Sequence, residues 1–523
     1  MKDPVLTPPA PQAQLDLEAG GGSAPAAGGE GSRAASTRVA RNSFWLIAQP
    51  LLMNAIAIVS TAYIARTLGP EDYGRFVTAL AFIAMFVPVT NLGLRFVTIR
   101  DLASGTYVRA GASPGPEEMG SYVGRMLVLR LLLGLACAVV ALAAVGVSGG
   151  SEETVRVTQI ASAIIVLQAA SSAFNDVFQA FEAMKLVARV QFVMGLFIIG
   201  SSVSALLLGL GLYGLMGAYV LGNLLGTTIW IWHVRARGIV PRLSIDVPFW
   251  RRSLLVAAPL FFPNLVREAG TRFGVVLLGR FSGQHAVGTF GAANNLLDRL
   301  VVIPDGVCTA LFPTLSGAYA RSREVAGKIY RTFFRLFLVV GLPIAVGTTV
   351  LAEPITYLIF GREYENTPLA LAILAWGLFL NFLAYLQGWT VAAIRQERRG
   401  FFVPIACTAA YLGLAVALMP GFQEIGLAVA TLALPGVSFL LFRPIIREHL
   451  VARVVEPALV LKIVAASVIM GGVTWMVRGW PVWLSIPAGA ATYAGATLAL
   501  GAMRLSEIRE ILASMRGRSG ASP

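Results

Sequence analysis

The segment Ala65-Arg-Thr-Leu-Gly-Pro-Glu-Asp-Tyr-Gly-Arg-Phe76 recurs in the second half of the chain as Gly279-Arg-Phe-Ser-Gly-Gln-His-Ala-Val-Gly-Thr-Phe290. Arg66 aligns with Arg280, Gly69 with Gly283, Gly74 with Gly288, Phe76 with Phe290 and Ala79 with Ala293. Each copy lies between two long apolar stretches and reads as the turn of a helical pair, where glycine supplies positive φ cheaply. Six apolar stretches separate the copies, an even number, so the two halves cross a membrane in the same sense. Parallel repeats of this kind are related by an axis along the membrane normal, with the substrate path between them.

Outward from this turn, about fourteen apolar stretches are readable, at residues 43–65, 74–95, 121–148, 156–181, 186–209, 212–234, 253–279, 285–315, 327–352, 367–394, 401–420, 425–446, 459–477 and 480–503. Most reach the span of about 20 residues that crosses a hydrocarbon core. In lipid every backbone polar group needs an internal partner, and these Leu-, Ala-, Val- and Gly-rich runs provide it as helices; the alternating pattern of a membrane β-barrel is missing. The expectation is an all-α integral membrane protein. Its parts are a disordered tail at 1–40 without a secretory signal, an N-lobe of helices 1–6 at 41–240 and a C-lobe of helices 7–12 at 241–450. Helices 13–14 follow at 451–505, outside the repeat, and a tail at 506–523 ends the chain.

Orientation follows from the distribution of the 41 Lys and Arg residues. Most fall in alternate loops, among them Arg95, Arg100, Arg109 and Arg125, then Arg235, Arg237, Arg242, Arg251 and Arg252, then Arg395, Arg398 and Arg399. The intervening loops hold only Arg66, Arg75, Arg156, Arg280, Arg362 and Arg478, which places both termini in the cytoplasm. The net charge of +14 is therefore a topological signature and an attraction to anionic inner-leaflet lipid, with no need of nucleic acid. Cys137, Cys308 and Cys407 fall in apolar stretches without metal or redox spacing and read as small core residues. The outer loops are short, and His233, His285 and His449 are scattered without a paired acidic motif, so a membrane glycosyltransferase or polymerase is disfavoured.

Arg66-x-Leu-Gly-Pro-Glu-Asp-Tyr-Gly, the helix end at Asn91-Leu-Gly, the following Arg100-Asp-Leu-Ala and the later Ala310-Leu-Phe-Pro-Thr-Leu-Ser316 resemble bacterial polysaccharide biosynthesis transporters. These are O-antigen and exopolysaccharide flippases of the multidrug, oligosaccharidyl-lipid and polysaccharide exporter superfamily, and the resemblance covers residues 38 to 510. It implies a V-shaped pair of six-helix lobes around a central cavity that opens alternately to each face. The implied substrate is an undecaprenyl-diphosphate-linked oligosaccharide, carried from the inner to the outer leaflet of the cytoplasmic membrane. A two-lobed transporter has no need of a partner subunit, so a monomer is expected, with a glycan polymerase or other export machinery as partner. A multidrug exporter would share this fold.

An intramembrane charge costs about 2.5 to 3.5 kcal/mol on insertion scales, so it is a functional suspect. Arg267, Glu268 and Arg272 cluster in the seventh stretch, and Asp298, Arg299 and Asp305 in the eighth. A diphosphate suits guanidinium groups, which bind adjacent anionic oxygens through paired, charge-assisted hydrogen bonds. Arg267, Arg299 and Arg272 are the diphosphate candidates, and Asn294 and Asn295 the candidates for sugar hydroxyls. Asp176, Glu268, Asp298 and Asp305 are the acids able to take H⁺ or Na⁺; no other cofactor is expected. Against this, Glu268 and Arg272 have the spacing of an intrahelical pair, and Asp298 has the charge to neutralise a nearby arginine. Arg130 is expected near the inner interface, where it can snorkel.

Overall fold

A computed structural model describes residues 29–105, 115–147, 151–450 and 457–501, with side chains from residue 53 onward except at 259, 260 and 264. Most of the expected N-terminal tail and all of the C-terminal tail lie outside the described residues. Helices make up most of the described residues, and no strand is present among them. The helices are α1 (Gly29–Asn91), α2 (Leu94–Ala103), α3 (Pro116–Val147), α4 (Glu152–Ala180), α5 (Met184–Leu207), α6 (Gly211–Ala236), α7 (Val247–Asp298) and α8 (Val302–Arg321). They continue with α9 (Arg323–Val350), α10 (Ala352–Ile359), α11 (Thr367–Ala393), α12 (Glu397–Gly400), α13 (Val403–Thr431), α14 (Ala433–His449), α15 (Pro457–Met476) and α16 (Val482–Ala499). Helix α1 starts inside the stretch expected as an irregular tail. The Ala- and Arg-rich run through Arg33, Arg38 and Arg41 has the composition of a helix former.

Ten helical stretches among the described residues are long and apolar enough to cross a membrane. Three of them run to 51, 61 and 53 residues, so at 1.5 Å per residue each exceeds the roughly 30 Å that one crossing needs. The excess is resolved by breaks in the backbone. Gly69 (φ 72°, ψ 171°) divides α1 and Gly283 (φ 83°, ψ 175°) divides α7, the paired turn glycines of the repeat, while Gln423 (φ 47°) divides α13. The Gly-x4-Gly spacing of these turns recurs at Gly209 and Gly214 between α5 and α6, and at Gly421 and Gly426 inside α13.

The chain forms two compact units. Unit 1 holds Phe82–Leu265 and the described residues up to Ile64; unit 2 holds Ala65–Ala81 and the described residues from Val266. In unit 1, α3 packs on α4, α4 on α6 and α5 on α6. The core gathers Leu94, Tyr122, Met126, Phe174, Phe178 and Trp230, with the Phe178 and Trp230 rings stacked at 5.2 Å. The outer face of α3 exposes Leu132, Leu135, Val139 and Val140, an apolar surface suited to lipid. The C-lobe, expected from residue 241, starts as a unit at Val266, because the first part of α7 packs into unit 1: Ala257 is buried and its carbonyl backs onto Gly93.

In unit 2, α11 is central and contacts α8, α9, α13 and α14 through buried Leu371, Leu374, Phe382 and Leu386. Helices α15 and α16 lie outside the repeat and dock on α9, where the Tyr493 hydroxyl donates to the Val339 carbonyl at 2.8 Å. The borrowed segment Ala65–Ala81 is held closely. Tyr364 donates its hydroxyl to the Ala65 carbonyl at 2.8 Å, and burial raises the pKa of that phenol, keeping it a neutral donor. Arg66 caps the end of α10 by donating to the carbonyls of Ile359, at 2.9 Å, and Leu358. Thr78 donates to the Gln284 side-chain oxygen at 2.7 Å. The repeat identities Phe76, Phe290, Ala79 and Ala293 are all buried here, so the sequence match marks packing.

Candidate functional site

Two sets of charges lie within apolar helices, one in each unit. In unit 2, Arg267 and Glu268 occupy one turn of α7 beyond Pro263 and Arg272 the next. Glu268 receives Arg267 at 3.3 Å and Arg272 at 3.5 Å, the latter being the expected i,i+4 pair. Their side chains are 48%, 34% and 39% exposed respectively, and long, open contacts of this kind contribute little to stability. The same guanidinium groups are consequently able to exchange Glu268 for a stronger anion.

The chain then reverses at Gly283 and returns to Asp298, where α7 ends in a tight 3-10 turn at Arg299–Val301 before α8. Asn294 donates to the Asp298 carboxylate at 2.9 Å, and Asn295 donates to the Tyr73 hydroxyl at 3.0 Å. Asp298 lies within electrostatic reach of Arg272, Arg299 and Glu268, so the two limbs of α7 bring their charges together. Among the described residues, no hydrogen bond or ion pair holds the Arg299 guanidinium. From α11, Tyr385 is in electrostatic reach of Arg267, Glu268, Asp298 and Asp305. Tyr385 was missed in the sequence, where a single tyrosine in an apolar run gives no signal beyond its polar neighbours Asn381 and Gln387.

The exposed face of α8 distinguishes water from lipid. On α8, Asp305, Gly306, Thr309, Pro313, Thr314 and Gly317 recur at helical spacing and are exposed, with Val302 and Ile303 exposed at its start, and Asp298 is exposed at the end of α7. Beyond Val302 and Ile303 these residues are small or polar, unlike the Leu and Val residues exposed on α3. Hydrocarbon would penalise the two carboxylates, so the face that carries Asp298 and Asp305 is chemically suited to water.

In unit 1 the charges are closed in. Arg130 is 0% exposed and donates to Asp176, itself 3% exposed, at 2.6 Å, and to the Ser172 hydroxyl at 3.0 Å. This corrects the expectation that Arg130 snorkels to the interface: its partner on α4 holds it inward. Gln179, one turn beyond Asp176, accepts from Arg95 of α2 at 2.6 Å. Exposed Arg95 also lies in electrostatic reach of Asp176, a relation that its place among the loop arginines does not reveal. Cys137, Cys308 and Cys407 are buried free thiols.

The family model described as polysaccharide biosynthesis protein matches residues 39–318, and that of the lipid II flippase MurJ matches residues 299–486. A Shigella flexneri protein named for O-antigen transport is 19% identical over 400 residues, covering 75% of this chain and 94% of that protein. The succinoglycan biosynthesis transport protein ExoT of Rhizobium meliloti (strain 1021) is 23% identical over 370 residues, 67% of this chain and 69% of that protein. Among solved structures, the lipid II flippase MurJ in an inward closed conformation superposes with a TM-score of 0.69 at 16% identity, over 86% of this chain and 97% of that one. A multidrug resistance MATE family transporter in an inward-facing conformation gives 0.59 at 16% identity, over 77% and 97%. These structures share the fold. With more than half its length matched by the first model, the chain belongs to the polysaccharide biosynthesis protein family and is a membrane transporter rather than an enzyme.

Proposed function

We propose that the protein flips an undecaprenyl-diphosphate-linked oligosaccharide from the inner to the outer leaflet of the bacterial cytoplasmic membrane by alternating access, for O-antigen or exopolysaccharide synthesis. The observation that carries this reading is the arginine cluster of α7 and its 3-10 turn beside the small and polar stripe of α8. Arg267, Arg272 and Arg299 hold the diphosphate; Glu268 occupies two of these guanidinium groups while the site is empty. The sugars occupy water along α8 near Asn294 and Asn295, and the lipid tail stays between helices. Family membership and the names of the relatives support a substrate of this class.

In this reading the chain crosses fourteen times, with α1 and α7 (with α8) each supplying two crossings and α13 with α14 another two. Both termini are cytoplasmic, and one chain suffices. Glu268, Asp298 and Asp305 take the coupling H⁺ or Na⁺ at the open site. At Asp176, coupling works through the pair with Arg130, because neutralising the carboxylate releases the guanidinium. Partner glycan polymerases or other export machinery receive the product.

The MATE fold likeness favours a second reading, multidrug export. A cationic drug calls for an anionic site, however, and three arginines face three acids here. Reconstitution in liposomes with a fluorescent undecaprenyl-diphosphate oligosaccharide tests the proposal. Protein-dependent transfer between leaflets is expected; absence of transfer together with drug efflux from expressing cells selects the alternative.

A further inference from the structure

Residues 237–246 connect α6 to α7 without helix or strand, and their orientation is fixed by α3. The Arg242 amide donates to the Gly120 carbonyl at 3.0 Å. A Cβ on Gly120 would lie 2.3 Å from the Val240 carbonyl oxygen, and one on Gly124 would lie 2.1 Å from that of Arg242, so bare backbone receives the connection. Ion pairs fasten both ends: Arg242 to Glu117 at 3.2 Å and Arg125 to Asp246 at 3.0 Å. Trp250 donates its indole N–H to the Arg125 carbonyl at 3.0 Å, and the Arg125 guanidinium covers the Phe249 ring at 4.5 Å.

With one edge occupied, the other presents an unusual surface. Val240, Leu243, Ile245 and Val247 are 61%, 66%, 76% and 60% exposed. Around them Arg235, Arg242, Arg251 and Arg252 are exposed, and Arg237 lies over the Phe178 ring. Asp246 is the single acid between residues 235 and 252, and Arg125 is already its partner. Trp232 is exposed one turn before the connection, the amphipathic residue favoured at headgroup level. A strap between the ends of two spans lies at the membrane surface, where exposed aliphatics enter the acyl boundary and arginines meet phosphate.

We infer that residues 238–247 form a membrane-interface strap, docked on anionic lipid headgroups of the inner leaflet with Leu243, Ile245 and Val247 in the acyl boundary. Charge complementarity selects anionic lipid, and the inner leaflet rests on the orientation read from the Lys and Arg distribution. The strap fixes the level of unit 1 in the bilayer at the one point where the chain passes from the first repeat to the second.

The test uses the full chain with Ile245→Cys labelled by an environment-sensitive fluorophore, in nanodiscs of phosphatidylglycerol and phosphatidylcholine. Quenching by doxyl groups near the top of the acyl chain, at least twofold stronger than by aqueous iodide, is expected. Strong iodide quenching without a doxyl effect overturns the inference and leaves a soluble acidic partner as the occupant. The Arg235→Gln/Arg251→Gln/Arg252→Gln variant is expected to lose at least threefold of the preference for phosphatidylglycerol in native mass spectrometry; an unchanged preference overturns the headgroup assignment. Labelling of Ile245→Cys in spheroplasts by an impermeant thiol reagent from outside overturns the inner-leaflet assignment alone. None of these readouts requires transport, so their outcome is separable from that of the flippase proposal.

Discussion

Gly74 and Gly288, equivalent positions of the two repeats, meet reciprocally within unit 2. A Cβ on Gly74 would fall 1.8 Å from the Gln284 carbonyl oxygen, and a Cβ on Gly288 would fall 1.8 Å from the Pro70 carbonyl oxygen. The obstacle on both sides is backbone, which cannot rotate aside. Gly74→Ala or Gly288→Ala is expected to cost about 1–3 kcal/mol through overpacking. Gly413→Ala, at a helical position with open space around it, is expected to be neutral or stabilising by about 0.5–1 kcal/mol. Thermal unfolding in detergent checks both; equal melting temperatures for all three variants would refute the close crossing.

The Arg130–Asp176 pair is expected to behave as a buried unit. Arg130→Ala leaves a carboxylate uncompensated and is expected to destabilise by about 3–5 kcal/mol, whereas Arg130→Met with Asp176→Leu recovers most of the loss. Almost no exposure of either side chain means that solvent does not soften the effect. A double-mutant cycle on thermal or denaturant stability measures the coupling, and strictly additive single losses would contradict the pairing.

At the open cluster the expectation is the reverse, a large effect on transport with little on folding. Arg267→Ala, Arg272→Ala and Arg299→Ala each remove a charge-assisted contact to phosphate, of about 1.5–3 kcal/mol. That corresponds to roughly 10- to 100-fold weaker binding of the lipid-linked substrate. Normal membrane insertion with loss of glycan export in a flippase-deficient strain is the expected outcome; full complementation by these variants removes the diphosphate clamp.

Ion coupling at the same site is checked with imposed gradients. Flipping in proteoliposomes is expected to accelerate under a pH or Na⁺ gradient, and Asp298→Asn with Asp305→Asn to lose the acceleration. Rates indifferent to both gradients in the native chain would reject coupling through these acids.

Local chemistry was legible in the sequence. The turn glycines Gly69 and Gly283 take positive φ as their position required, and Glu268 reaches Arg272 across one helical turn. Relations between helices were not. Arg130 and Asp176 were each visible as intramembrane charges, but only packing of α3 on α4 joins them, and their burial follows from that join. Tyr385 enters the site from α11 because the fold places it there. The glycines at 74 and 288 were noticed for the turn, yet what they permit is backbone contact. The unit boundary near 265, in the middle of α7, was invisible for the same reason: no change in composition marks it.

The transfer of Ala65–Ala81 into unit 2 also sets a timetable for biogenesis. This hairpin leaves the ribosome more than 200 residues ahead of Gln284, Asn295 and Tyr364, the groups that engage Thr78, Tyr73 and the Ala65 carbonyl. At translation rates of about 5–20 residues per second, roughly 10–60 seconds pass before those partners have been synthesised. Slowing elongation after residue 81 would lengthen that interval.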